Sequence, residues 1–268
     1  MGERIELEDL QLAYEELGPT SPGGSTVVFV HGLGGSAYSW WGQLAACEER
    51  GHRAVAYDQR GAGRSSKPPG PYSIELWARD LGRLLDGLEV ERATLVGHSV
   101  GCMIAERAAV RLGERVRGLA LIGGALRWRP EAGPVFEERV RLARAGRMDE
   151  IARAVAATGL SERCRRENPA LHGLFRELIA SNDPQAYAEW SAATAVGEMV
   201  EPERVDCPTL ALCGELDPVT PPAFSEALAA AIPRARAAVV EGAAHWCQLE
   251  ATAAVSALLL EFLDEIAT

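Results

Sequence analysis

The sequence has no apolar run long enough to cross a bilayer and no basic tract to offset its net charge of -11. The first absence excludes a membrane span, and the second argues against a nucleic-acid partner. The opening MGERIELEDL carries charges where a secretory leader would carry an apolar stretch. We read a cytoplasmic protein without a signal peptide. The six cysteines form no C-x-x-C or finger spacing, which leaves neither a zinc module nor a disulfide framework. Cys247, two residues after His245, is either a reactive thiol or a small buried residue. The five histidines lack H-x-x-x-H spacing, and no G-x-G-x-x-G opens the first helix. No metal and no cofactor is expected.

What is present is apolar material sufficient for a large core: 47% of 268 residues are hydrophobic and 24% charged. Short apolar runs alternate with helical patterns. Thr26 to Val30, Ala54 to Tyr57, Ala93 to Gly97, Arg117 to Gly123, Thr209 to Gly214 and Arg236 to Gly242 read as strands. Ser39 to Arg50, Ile74 to Leu88, Val100 to Leu112 and Pro222 to Ala231 read as helices, with Val255 to Ile266 closing the chain. Continuous apolar strands between helices imply an α/β fold with a mostly parallel sheet covered on both faces. Arg4 to Leu17 alternates polar and apolar residues and suits an antiparallel edge hairpin, bringing the sheet to eight strands.

From Ala125 to Val205 the alternation stops. This stretch is helical, and Pro130, Gly133, Pro134, Gly159, Pro169 and Pro184 divide it into short pieces. We read a helical cap over residues 125–205, inserted into a core formed by 1–124 and 206–268. Between Ala125 and Glu167 it holds ten Arg against seven acids. Two readings are open: a basic cap that favours a carboxylate-bearing substrate, or, preferred here, solvated helix faces with i,i+4 ion pairs.

The chemistry lies in LVGHSVG, Leu95 to Gly101. A strand, then G-x-S-x-G, then a helix is the arrangement of a nucleophile elbow. The reversal leaves Ser99 at its tip and the Val100 N–H free to donate to an oxyanion. A serine hydroxyl alone is a poor nucleophile, so a base and an orienting acid must come from elsewhere. The Gly-rich stretch after Val30, His31-Gly32-Leu33-Gly34-Gly35, offers the Leu33 N–H as a second oxyanion donor. Asp217 begins a turn beyond a strand, with Glu215 as the other acidic candidate. His245 follows the last strand and is the base by position and by elimination of His31, His52, His98 and His172. The expected reaction is attack by Ser99 on a carbonyl, with His245 taking the proton and Asp217 orienting the imidazole.

The stretches HGLGG, YDQRGAGRS, LVGHSVG, GELDPVTPP and GAAHW occur in an order that resembles the alpha/beta-hydrolases. Within that superfamily PPGPYSIE, DPVTPP and EALAAAIPRAR are similar to 3-oxoadipate enol-lactonases. The resemblance implies an alpha/beta-hydrolase fold and cleavage of a small carboxylic ester or lactone through an acyl-enzyme. It makes Asp58 and Arg60 loop-locking residues. HWCQLE is similar to C–C bond hydrolases of meta-cleavage products, although their Asn before the serine is absent. The GHS form also occurs in carboxylesterases and cofactor-free perhydrolases. A ligand receptor on the same scaffold is the non-enzymatic alternative. Specificity would reside in the cap, where Trp128, Phe136, Phe175, Tyr187 and Trp190 either line a pocket or pack cap helices; Trp246, beside the base, is a further pocket candidate. The expected partner is a small-molecule ester or lactone, and oligomeric state is not readable.

Overall fold

The computed structural model describes residues 2–20, 25–129 and 131–267. Pro130, read above as a helix breaker, lies outside them. Eight strands form one sheet: β1 (Glu3–Leu7), β2 (Leu10–Leu17), β3 (Thr26–Val30), β4 (Arg53–Tyr57), β5 (Ala93–His98), β6 (Val116–Ile122), β7 (Thr209–Gly214) and β8 (Ala235–Val240). Their order across the sheet is β1-β2-β4-β3-β5-β6-β7-β8. β1 and β2 form the expected antiparallel hairpin, with Glu3 opposite Tyr14 and Leu7 opposite Leu10. β2 runs antiparallel to β4, and every later neighbour is parallel.

The central strands are buried along their whole length because helices cover both faces. On one face lie α2 (Ile74–Gly87) and α3 (Val100–Leu112). α2 starts where the Ser73 hydroxyl accepts the Leu76 N–H at 3.1 Å, and it buries Ile74, Trp77, Leu81 and Leu85 at helical spacing. On the other face α1 (Trp41–Glu49) packs with the final helix around Trp40, Leu44, Val255 and Leu259. A single 3-10 turn, Ala37–Trp40, precedes α1, so that helix begins later than its sequence pattern predicts.

Between β6 and β7 the chain forms α4 (Ala132–Arg144), α5 (Met148–Gly159), α6 (Glu162–Glu167), α7 (Pro169–Ala180) and α8 (Pro184–Ala195). The proline punctuation is direct. Pro169 and Pro184 each occupy the first helical turn, behind Asn168 and Asp183 side chains that accept the Leu171 and Ala186 N–H groups. After β7 come α9 (Pro222–Ala231), then β8, α10 (Cys247–Glu250) and α11 (Thr252–Ala267). Among the described residues no helix is long and apolar enough to cross a membrane.

Candidate active site

β5 ends at His98 and α3 starts at Val100, so the reversal falls on Ser99 alone. Ser99 has φ +54°, a left-handed conformation that costs a non-glycine residue about 1–3 kcal/mol. Its surroundings enforce it. A Cβ at Gly97 would stand 2.5 Å from the Gly101 carbonyl oxygen. One at Gly101 would collide with the Val30 carbonyl and stand 2.7 Å from that of His31. Both positions therefore require glycine, and the bend presents a half-buried Ser99 side chain.

The loop after β3 is held from two sides. The His31 ring donates from Nδ1 to the Gly32 carbonyl at 2.8 Å and accepts the Gln59 N–H at 3.1 Å. The Gln59 side chain returns a bond to the His31 carbonyl at 2.7 Å. Asp58 accepts the Ala37 N–H at 2.7 Å and the Arg64 N–H at 2.8 Å, while Arg60 is paired with buried Asp80 at 2.7 Å. Asp58 and Arg60 thus brace loops, and neither lines the cavity described below.

Asp217 sits in the turn after β7, buried, and its carboxylate is saturated. One oxygen accepts the Val219 and Thr220 N–H groups at 2.8 and 2.9 Å. The other accepts the Thr220 hydroxyl at 2.8 Å and lies 2.7 Å from His245 Nδ1. Burial pushes this carboxyl up, but the positive field and hydrogen bond of His245 and the Thr220 donors outweigh it, and the net shift is downward. Glu215 points elsewhere: it is exposed and accepts the Gly242 N–H at 2.8 Å.

Ser99, Val100, Leu33, His98, His245 and Trp246 line one narrow cavity of about 50 Å³. Trp128, Phe136, Arg139, Val155, Thr158, Gly159 and Thr194 close it from the segment between β6 and β7, with Val219 at its edge. Of the aromatic candidates, Trp128, Phe136 and Trp246 reach this cavity. Tyr187 and Trp190 do not line it. Trp190 is buried, donates its indole N–H to the Arg60 carbonyl at 2.8 Å and lies on Trp77 with ring centroids 3.9 Å apart. Tyr187 is buried beside Gly34. Phe175 meets the Trp246 ring edge-on at 5.0 Å. All six cysteines are free and buried, and burial pushes the Cys247 thiol well above its ordinary range, leaving it unreactive.

Three contributors escaped the sequence reading. Thr220 braces Asp217, as described. His98 is fully buried and donates from Nε2 to the His245 carbonyl at 3.0 Å; desolvation, then the neighbouring His245 charge, holds it well below the usual imidazole range and therefore neutral. Arg139 lines the cavity and has no carboxylate partner among the described residues, lying instead over the Phe136 ring at 5.6 Å. Its neighbours Arg141, Arg144, Arg147 and Arg153 are each paired with an acid, as helix-face charges should be. Among the described residues no group of histidine, cysteine or acidic side chains could hold a metal ion.

A strand-turn-helix serine, a histidine after the last strand and an acid between them define a class, and the family comparison agrees: residues 25–252 match the alpha/beta hydrolase fold, and the chain belongs to that family. Among its relatives, "Putative carbamate hydrolase RutD" of Azorhizobium caulinodans is 31% identical over 268 residues, covering 96% of this chain and 97% of that protein. A 2-hydroxymuconate semialdehyde hydrolase of a Pseudomonas species is 30% identical, covering 91% and 89%. The crystal structure of the enol-lactonase from Burkholderia xenovorans superposes with a TM-score of 0.92 at 28% identity, covering 98% of this chain and all of that one.

Proposed function

We propose that this protein is a serine hydrolase of small carboxylic esters or lactones, with residues 125–205 acting as a cap over the site. The observation that carries the reading is the 2.7 Å bond from His245 Nδ1 to Asp217, beside a cavity that His245 shares with Ser99. An acid bonded at Nδ1 leaves Nε2 as the nitrogen that accepts the serine proton. Ser99 Oγ attacks the substrate carbonyl as His245 takes its proton, and Asp217 stabilises the resulting imidazolium. The Leu33 and Val100 N–H groups receive the oxyanion, each worth about 3 kcal/mol of barrier. His245 protonates the departing alkoxide, then deprotonates a water that hydrolyses the acyl-enzyme.

Arg139 favours the lactonase end of this class. An unpaired guanidinium beside a reacting centre suits a substrate that carries a carboxylate, and a buried Trp128 indole N–H without an acceptor lies in the same wall. The relatives named for carbamate and semialdehyde substrates keep those carbonyl classes as outcomes of the assay.

The test is a panel of p-nitrophenyl esters and lactones, neutral and carboxylate-bearing, with Ser99→Ala and Arg139→Ala. Ser99→Ala should abolish turnover and the acyl-enzyme burst with unchanged circular dichroism. Arg139→Ala should lower kcat/KM about tenfold or more for carboxylate-bearing substrates only. Residual turnover by Ser99→Ala would refute the mechanism; equal losses on both substrate sets would refute the assignment of Arg139.

A further inference from the structure

The residues flanking His245 are tied to the helical insertion, Trp246 directly and Ala244 through Glu250. Just after His245, the Trp246 N–H donates to the Gly159 carbonyl at 2.8 Å. Just before it, the Ala244 N–H donates to Glu250 at 3.2 Å. The same Glu250 oxygen accepts the Ser161 N–H at 2.9 Å, and its other oxygen accepts the Ser161 hydroxyl. Ser161 is the N-cap of α6, its hydroxyl also accepting the Cys164 N–H. Gly159 ends α5, and a Cβ there would stand 2.9 Å from the Trp246 indole and 3.0 Å from the Phe175 ring. Only glycine lets the insertion press this closely on the histidine loop.

The other restraints on this loop come from the sheet side. Leu216 N–H donates to the Ala243 carbonyl at 2.8 Å, His98 to that of His245, and Asp217 holds the ring. Within α10 the Trp246 carbonyl accepts the Leu249 and Glu250 N–H groups, so the insertion reaches this loop through the Gly159 carbonyl directly and through Ser161 by way of Glu250. The cavity matters here as well. At about 50 Å³ it is far below the roughly 300 Å³ or more of an ordinary ligand pocket. A cavity this small must widen to admit a substrate, and its lining includes Gly159, the residue tied to Trp246.

We propose that Glu250 is a positioning residue that makes the placement of His245 depend on the seating of the insertion. When 159–161 are seated, Glu250 fixes the Ala244 N–H and Gly159 fixes the Trp246 N–H, holding the imidazole in register. When the insertion lifts, both ties slacken and the base loses its register, so proton transfer is efficient only over an enclosed substrate. The inference rests on the serine-hydrolase reading for its kinetic consequence, but the mechanical tie can be measured without turnover.

The experiment compares the full-length protein with Glu250→Ala and Glu250→Gln. Glutamine keeps an oxygen for the two N–H donors and turns its amide toward the Ser161 oxygen, so it should restore the geometry without the charge. In Glu250→Ala, hydrogen exchange should rise together in 155–163 and 243–250. The kcat for the best ester found should fall about 10- to 100-fold with KM within about threefold, because a displaced base affects the transition state more than binding. Glu250→Gln should recover most of both. Exchange that rises in only one segment overturns the coupling, whatever the ester results. Lower thermal stability with unchanged kcat would make Glu250 a merely structural residue, and failure of Glu250→Gln to restore kcat would replace positioning by charge. If Ser99→Ala still turns over ester, the hydrolase reading fails while the exchange comparison stands.

Discussion

Replacing Asp217 by Asn exchanges one carboxylate oxygen for an NH2 and leaves the shape unchanged. The Val219 and Thr220 N–H groups, at 2.8 and 2.9 Å, can bond only an oxygen, so they select the amide orientation. The NH2 then lies where an oxygen now sits 2.7 Å from His245 Nδ1. Being a donor, it forces Nδ1 to accept, which moves the ring proton to Nε2. A ring protonated at Nε2 cannot take the Ser99 proton. The stabilisation of the imidazolium by a buried carboxylate is lost in the same step. Substitutions of this kind at an otherwise intact triad lower kcat about 10⁴-fold, or about 5.5 kcal/mol of barrier. The assay is kcat/KM for a p-nitrophenyl ester at pH 7.5, with circular dichroism and Tm as controls. Glu215→Gln, at an exposed side chain bonded to Gly242, should stay within about threefold of wild type. Asp217→Asn within tenfold of wild type, or Glu215→Gln the more damaging of the two, would refute the assignment.

Thr220→Val keeps the volume and removes the hydroxyl that bonds Asp217 at 2.8 Å; kcat should fall about tenfold, checked by steady-state kinetics. Gly101→Ala forces a methyl into the Val30 and His31 carbonyls, and soluble yield and Tm should both drop; an active variant with native Tm would contradict the elbow packing. Glu106 is 4% exposed and burial raises its carboxyl to about 8. The folded state therefore holds a proton that the unfolded chain releases near pH 4.5, and stability present below that pH is lost progressively as pH rises toward 8. Glu106→Gln should match wild type near pH 4 and exceed it by about 3 kcal/mol at pH 7 in urea titrations; parallel pH dependences would exclude this.

The central strands were legible because they are buried on both faces. TVVFV, apolar after its threonine, forms β3 with the bounds its sequence suggests, and the alternating Arg4 to Leu17 segment is the wet-edged hairpin. The elbow was legible for a different reason: backbone crowding at Gly97 and Gly101 leaves no other residue type. Asp217 ranks above Glu215 in the sequence because it begins the Asp-Pro turn beyond the strand, and it is the acid that lies 2.7 Å from His245 Nδ1. Thr220, His98, Arg139 and Glu250 were not legible. Threonine three residues after an aspartate is common, and whether its hydroxyl turns inward depends on the turn. His98 bonds a carbonyl 147 positions away, and Glu250 bonds a serine 89 positions earlier. Arg139 is one of ten arginines in its stretch, and nothing local marks it as the one that lines the cavity. Tyr187 and Trp190 show the converse: an aromatic in a helical insertion has no local mark to tell a cavity wall from a packing surface.

β8 is the outermost strand on its side of the sheet and only partly covered. The histidine hangs from its end. Border strands open more readily than central ones, through fluctuations too small to expose the whole core. Mild denaturant should therefore peel this margin first and silence the enzyme while most of the molecule remains native, so that half-inactivation falls at a lower urea concentration than half-unfolding.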